Sequence, residues 1–161
     1  MKKILIALDY NPSAQKIAET GYALAKATNA ETVLIHVIAD AVYYTGLDYS
    51  PVMGYTGFSS PDMMPIIDIV ELRSASINFL EQTKKHLNDE SIQTIVEEGD
   101  CADAILRAAK EMDADTIVLG SHSRRGLDKI LMGSISEKVL HHTTIPLFII
   151  PTKSTPKKDL S

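Results

Sequence analysis

Asp115-Thr116-Ile117-Val118-Leu119-Gly120-Ser121-His122-Ser123-Arg124-Arg125-Gly126 runs on to Gly133-Ser134-Ile135-Ser136-Glu137, joining an apolar run to a polar loop and then to a helix start. Residues 115–119 read as a buried strand. Gly120 and Gly133 let backbone N–H groups approach a ligand with no Cβ in the way, and the helix that follows offers unpaired N–H groups at its positive end. An anion, and above all a phosphate, suits such a turn. Ser134 followed three residues later by Glu137 has the form of a capping box, so the expected helix cap also stands where a phosphate would sit.

Outward from this turn, strand-like and helical patterns alternate, which argues for a parallel sheet covered by helices on both faces. Strands are expected near 2–8, 32–38, 92–97, 115–119 and 146–150. Asn11-Pro12 offers a cap and a first-turn proline, and Ala14, Ile17, Ala18, Gly21, Tyr22 and Ala25 then repeat at three and four as one buried stripe that ends near Asn29. A second helix at about 66–88 presents Ile69, Leu72, Phe79, Leu80 and Leu87. A third starts at Asp100 with Ala104, Ile105, Ala108, Ala109 and Met112 inward, and the fourth starts at Ser134. The fold class is therefore α/β: a doubly wound, Rossmann-like, five-stranded parallel sheet.

The segment from Asp40 to Pro65 breaks the alternation with Tyr43, Tyr44, Tyr49, Tyr55 and Phe58 among Met, Gly and Pro. A stretch this long without its own pattern is expected to be a flexible insertion, either a flap or partner surface near the ligand mouth or a solvated loop. Residues 152–161 lack an apolar pattern and are expected to form a disordered tail. The rest, 1–151, fits one domain, since 161 residues with 45% hydrophobic and 23% charged content suffice for one core.

The net charge of −5 disfavours a nucleic-acid backbone as the main partner. Across 124–138 the balance reverses: Arg124, Arg125, Lys129 and Lys138 outweigh Asp128 and Glu137, leaving a local net +2 that suits a small polyanion. Ile4 to Leu8 after two lysines imitates the start of a signal peptide, but Asp9 ends the apolar run too soon, so a strand is expected there. No stretch approaches the length of a bilayer span, and the lone Cys101 forms no internal disulfide, which points to no membrane partner and to the cytoplasm.

Several chemistries lack their parts. The chain holds no Gly-Lys-Ser/Thr phosphate loop of the Walker type, no three-glycine fingerprint after the first strand and no nucleophile elbow. A receiver domain wants an acidic pair after strand one, where this chain has Asp9 alone. His36, His86 and the consecutive His141-His142 read as structural or solvated residues, not metal ligands. His122, inside the loop, is placed to donate to a phosphate, and Cys101 reads as a small hydrophobe in a helix's first turn. No catalytic residue is assigned. Asp9, at a strand end, is either a turn aspartate or a partner for a ribose hydroxyl or for a metal ion accompanying phosphates.

The spacing of the loop resembles the nucleotide loop of the universal stress protein family: Gly, two residues, Gly, nine residues, then Gly followed by Ser or Thr. Here Gly120, Gly133 and Ser134 match, and Ser123 replaces the second glycine. The likeness extends to Lys3-Ile4-Leu5-Ile6-Ala7-Leu8-Asp9, Leu34-Ile35-His36-Val37, Gly99-Asp100 and Thr144-Ile145-Pro146-Leu147-Phe148-Ile149-Ile150. It implies a strand order of 3-2-1-4-5, with Asp9 and Gly120 at one crevice. It also implies ATP, with Mg2+, as the ligand: the backbone of Val37 toward adenine, Ala7 and Asp9 on the ribose side, and Gly120, Ser121, His122, Ser123, Arg124, Gly133, Ser134 and Ile135 around the phosphates.

Ser123 is the departure. If its site needs a left-handed backbone, a residue other than glycine costs roughly 1–2 kcal/mol, about a tenfold to thirtyfold loss of affinity. The resemblance further implies a homodimer through the apolar edge strand at 146–150, and a regulatory or stress-protective factor with at most slow ATP hydrolysis. Two alternatives stand beside it: a nucleotide-independent interaction module that engages a protein partner, and a binder of another adenine nucleotide.

Overall fold

The structure, a computed structural model, describes residues 1–39, 69–121 and 133–152. The insertion expected at about 40–65, the loop residues His122, Ser123 and Arg124, and the tail beyond Thr152 lie outside the described residues.

Among the described residues nine elements follow in order: β1 (Lys3–Ala7), α1 (Ala14–Thr28), β2 (Glu31–Ala39), α2 (Ile69–Leu87), β3 (Gln93–Gly99), α3 (Cys101–Glu111), β4 (Thr116–Gly120), α4 (Ser134–His142) and β5 (Leu147–Ile150). The strands form one parallel sheet in the order β3-β2-β1-β4-β5. Side-chain alternation divides the core in two. Ile4, Ile6, Leu34 and Val118 point to the side covered by Ile17, Ala18 and Ala25 of α1 and Leu80 of α2. Leu5, Val33, Ile35, Ile117 and Leu119 point to the other, against Ile105, Ala108 and Ala109 of α3 and Val139 of α4. Strands buried on both faces must be apolar throughout, which is why β1, β2 and β4 read as continuous Ile/Leu/Val runs. The fold is the doubly wound α/β sheet that the sequence led us to expect.

The helices end where short polar side chains tolerate a left-handed backbone. Asn29 (φ 54°), Asn88 (φ 54°) and Asp113 (φ 53°) follow α1, α2 and α3 in this way. Gly21, inside α1, has a different reason to be glycine: a Cβ there would lie 2.7 Å from Ile6 Cδ1 and 3.2 Å from Val118 Cγ1, so its absence lets α1 settle onto the β1–β4 seam.

Three local expectations are corrected. Asn11 does not cap α1 with Pro12 as its first residue. Its Oδ1 accepts from Ser13 N at 3.0 Å and its carbonyl accepts from Ala14 N at 2.8 Å, closing a tight turn, and the helix opens after Ser13. The capping box at Ser134 does not form: Gly133 occupies the cap, no side chain caps the helix, and Ser134 is its first residue. Ile69 is not inward-facing; it is 51% exposed, and of α2 only Ser76 and Leu80 are buried.

Candidate functional site

The chain winds outward from β1 to β2 and β3, then returns to lay β4 on the other side of β1. At that reversal the helices that follow β1 and β4, α1 and α4, lie on opposite faces, and a crevice opens beyond the strand ends. Ala7, Leu8 and Asp9 of β1 and its exit, Ile35 and Val37 of β2, Leu119 and Gly120 of β4, and Cys101 and Ile105 of α3 line it, with Ile17, Ile135 and Ser136 completing the wall. Asp9 and Gly120, far apart in sequence, share this hollow. Its walls are mainly aliphatic. The cavity volume is about 60 Å3, room for roughly four waters.

Of the residues expected around a nucleotide, Ala7, Asp9, Val37, Gly120 and Ile135 line the crevice. Ser121 and Gly133 stand at its rim, joined through Gly133 N, which donates to Ser121 O. Ser134 is exposed in the first turn of α4. Asp9 is in part the turn aspartate of the blander reading, because its Oδ1 accepts from Asn11 N at 3.1 Å, yet it also faces the hollow.

Hydrogen bonding decides which amides of this turn remain available. Ser121 N donates to Ile150 O at 2.8 Å, and the Gly133 amide is taken by Ser121. In α4 the first intrahelical bond runs from Glu137 N to Gly133 O, so the amides of Ser134, Ile135 and Ser136 have no intrahelical acceptor. These three lie at the positive end of the helix dipole, the kind of place where an anion can be held. Gly120 is glycine for packing: a Cβ there would lie 2.5 Å from Ile17 Cδ1 and 2.9 Å from Thr152 Cγ2.

The charge around the crevice is more balanced than the local net +2 suggests. Lys138 donates to Asp100 Oδ1 at 2.9 Å and lies 3.3 Å from Asp103, tying α4 to α3. Asp100 caps α3 by accepting from Asp103 N at 3.0 Å; that bond first, and Lys138 second, hold its carboxyl below the usual range. One of the four cations counted in the loop is therefore engaged with α3. Asp9 is the acidic member of the crevice lining, and no group of three or more potential ligands for a metal occurs among the described residues. An Mg2+ here would be held chiefly by phosphate oxygens, with Asp9 at its side.

The other histidines have structural roles. His36 is 4% exposed, its Nδ1 donating to Leu8 O at 2.8 Å, and its ring lies 4.5 Å from Tyr10 and 5.7 Å from Phe79. Burial lowers its pKa, so the ring is neutral with the proton on Nδ1. His86 meets Glu19 at 2.7 Å, and His142 Nδ1 meets Lys138 O at 2.8 Å. Cys101 opens α3 as expected but is half-exposed and faces the crevice, so it is not simply a buried hydrophobe.

The sequence reading missed Ile17, Ile105 and Ser136 as crevice residues. The two isoleucines had been assigned wholly to the core. Ser136 carried a signal, since it stands three residues before buried Val139 and thus places a hydroxyl on the inward stripe of α4.

No described helix is long and apolar enough to cross a membrane. The profile of the Universal stress protein family matches residues 1–151. "Universal stress protein YxiE" of Bacillus subtilis is 31% identical over 156 residues, covering 92% of this chain and 97% of its own. "Universal stress protein MJ0577" of Methanocaldococcus jannaschii is 26% identical over 157 residues, covering 96% and 97%. The solved structure of MJ0577 superposes with a TM-score of 0.71 at 24% identity, covering 96% of this chain and 98% of that one. A universal stress protein solved in complex with cAMP superposes with a TM-score of 0.57 at 20% identity, covering 92% and 95%, and both show the same fold. The chain belongs to the universal stress protein family.

Proposed function

We propose that the chain binds ATP, with Mg2+ held mainly by the phosphates, and acts as a regulatory or stress-protective homodimer in the cytoplasm. One observation carries this reading: the aliphatic crevice between Val37, Ile35 and Ile105 leads to the Ser134, Ile135 and Ser136 amides at the positive end of α4. An aromatic base has an apolar place and its phosphates have donors, within a single hollow. Val37 presents its backbone toward the base, Ala7 and Asp9 flank the ribose, and the loop from Gly120 through Ser121, His122, Ser123 and Arg124 completes the phosphate side. In this reading the chain is a regulatory factor and hydrolyses ATP slowly at most.

Isothermal titration of the purified protein with Mg-ATP tests this. Binding is expected, and Ser123→Gly should tighten it by about tenfold to thirtyfold if Ser123 occupies a left-handed position. No heat from either protein rejects the nucleotide reading and leaves the interaction module. The cAMP complex of a structural relative favours a second reading, in which another adenine nucleotide is the ligand. Titration with cAMP beside ATP separates the two.

A further inference from the structure

Two rungs join the end of β4 to the first turn of α4. In the first, Gly133 N donates to Ser121 O; in the second, Ser136 Oγ donates to Gly120 O at 2.7 Å. They leave β4 at adjacent residues and reach α4 three residues apart, close to one helical turn. Val139 packing and the Lys138 ion pairs hold the body of α4, and the two rungs hold the direction of its first turn. The amides of Ser134, Ile135 and Ser136 lie at or between the two rungs, so the second rung fixes their direction. Ser136 is suited to this by its surroundings: it is 3% exposed, it forms part of the crevice wall, and its hydroxyl spans sixteen residues of sequence. Ser134, two residues earlier, is exposed and makes no cap bond.

We propose that Ser136 is a positioning residue for the anionic part of the ligand. It does not hold the phosphates with its own hydroxyl, which is engaged by Gly120 O, but aims the first-turn amides of α4 into the crevice. The inference rests on the nucleotide reading above and adds to it a dependence on phosphate number. Removing the second rung leaves the apolar base site intact and loosens only the donors, so the loss grows with the number of phosphates.

The experiment compares adenosine, AMP and Mg-ATP by titration against wild type, Ser136→Ala and Ser136→Thr, with thermal midpoints measured without ligand. Ser136→Ala should leave adenosine within twofold or so, and weaken Mg-ATP measurably, by up to about tenfold, because the bond exists without ligand and only the misalignment that its loss permits reaches the affinity. AMP should fall between them. Ser136→Thr, which keeps the donor, should restore Mg-ATP affinity. Equal losses for all three ligands, or none, overturn the proposal while the nucleotide reading stands. If wild type binds none of the three, the nucleotide reading fails and this proposal with it. Hydrogen exchange in the free protein gives an independent readout: the Gly133 and Glu137 amides should exchange faster in Ser136→Ala, and unchanged rates sink the two-rung argument. Should Ser136→Ala not fold, Ser136→Cys, similar in volume with a weak donor, takes its place in every arm.

Discussion

The two edges of the sheet are opposites. β3 carries Glu97 and Glu98 near its end, and arginines from both helical layers reach them: Arg73 of α2 meets Glu98 at 3.2 Å, and Arg107 of α3 meets Glu97 at 3.5 Å. Arg73 also donates to the carbonyl of Val96, and Thr94 to Glu81. β5 reads Leu147-Phe148-Ile149-Ile150, with no charge and with Phe148 39% exposed. An open strand edge is a template for pairing, and charge is one of the common ways to block it. The ion pairs on β3 are exposed and add little stability. Their consequence is that a second strand cannot dock there without displacing them. Among the described residues β5 has no such guard, which makes it the edge where the proposed second copy of the chain would pair, by an isologous two-fold contact.

The largest expected effect follows from this asymmetry. Phe148→Lys places a charge in the middle of the unguarded edge and should convert the proposed dimer to monomer, raising the dissociation constant by at least about a hundredfold. Arg73→Ala combined with Arg107→Ala on the other edge should leave the β5 dimer intact, and association through the unguarded β3 edge would add only species larger than the dimer. Light scattering at micromolar concentration reads both. A wild type that is monomeric at that concentration, or a Phe148→Lys variant that stays dimeric, shows that β5 is not the pairing edge.

The same contrast governs what the sequence made legible. The inner strands were readable because residues buried on both faces leave no freedom of composition, as in Leu34-Ile35 of β2 and Ile117-Val118-Leu119 of β4. Their order was not: nothing in an apolar run states its neighbour, and the placement of β4 beside β1 came from family resemblance. Asn29 was legible as a helix end because few residues accept a left-handed backbone. Ile69 was misplaced because helical periodicity identifies a face without saying how far the sheet extends beneath it. In the crevice, Asp9 and Gly120 follow from their positions at strand ends, whereas Ala7 and Val37 came from family resemblance. The availability of amides in the turn after β4 does not, because it depends on partners such as Ile150 O, which takes the Ser121 amide and which only the folded chain supplies.

Two glycines at strand ends sharpen the comparison. Gly99 ends β3 with φ +117° and nothing within 4 Å of a would-be Cβ, whereas Gly120 ends β4 against Ile17 and Thr152 and is not among the described residues with positive φ. Gly99 is therefore required by backbone geometry and Gly120 by space. Gly120→Ala should destabilise by about 1–3 kcal/mol through overpacking. Gly99→Ala should cost about 1–2 kcal/mol through a strained backbone. Asparagine separates the causes. At position 99, where φ lies beyond the left-handed helical region that asparagine tolerates, it should cost about as much as alanine, while at position 120 its larger side chain should make matters worse. Denaturant unfolding of the four variants reads the difference. A loss that grows with side-chain size at 99 and not at 120 would reverse the assignment of causes.

The smallest expected effect concerns acid, and it too should divide the molecule along the sheet. His36 lies on the β3 side, buried between Tyr10 and Phe79, while Tyr10 Oη and Ser76 Oγ meet at 3.0 Å and connect this cluster to α2. Because burial lowers its pKa in the folded state, the unfolded chain takes up the proton first as pH falls. Its contribution to stability is complete above the unfolded value of about 6.5 and is lost progressively below it, by at most roughly 1.4 kcal/mol per pH unit. Asp100, Asp115 and Glu19, whose pKa values are lowered, lose their contributions only in the more acidic carboxylate range. Between pH 6.5 and 5.5 the wild type should therefore lose stability, by at most about 1 kcal/mol. His36→Gln, which retains a donor for Leu8 O but does not titrate, should start less stable and show a flatter profile. Hydrogen exchange should locate the loosening in β2 and α2, with the β5 amides unaffected. Loosening that spreads equally to β5 would show that the two edges respond to acid as one unit and that His36 is not its local cause.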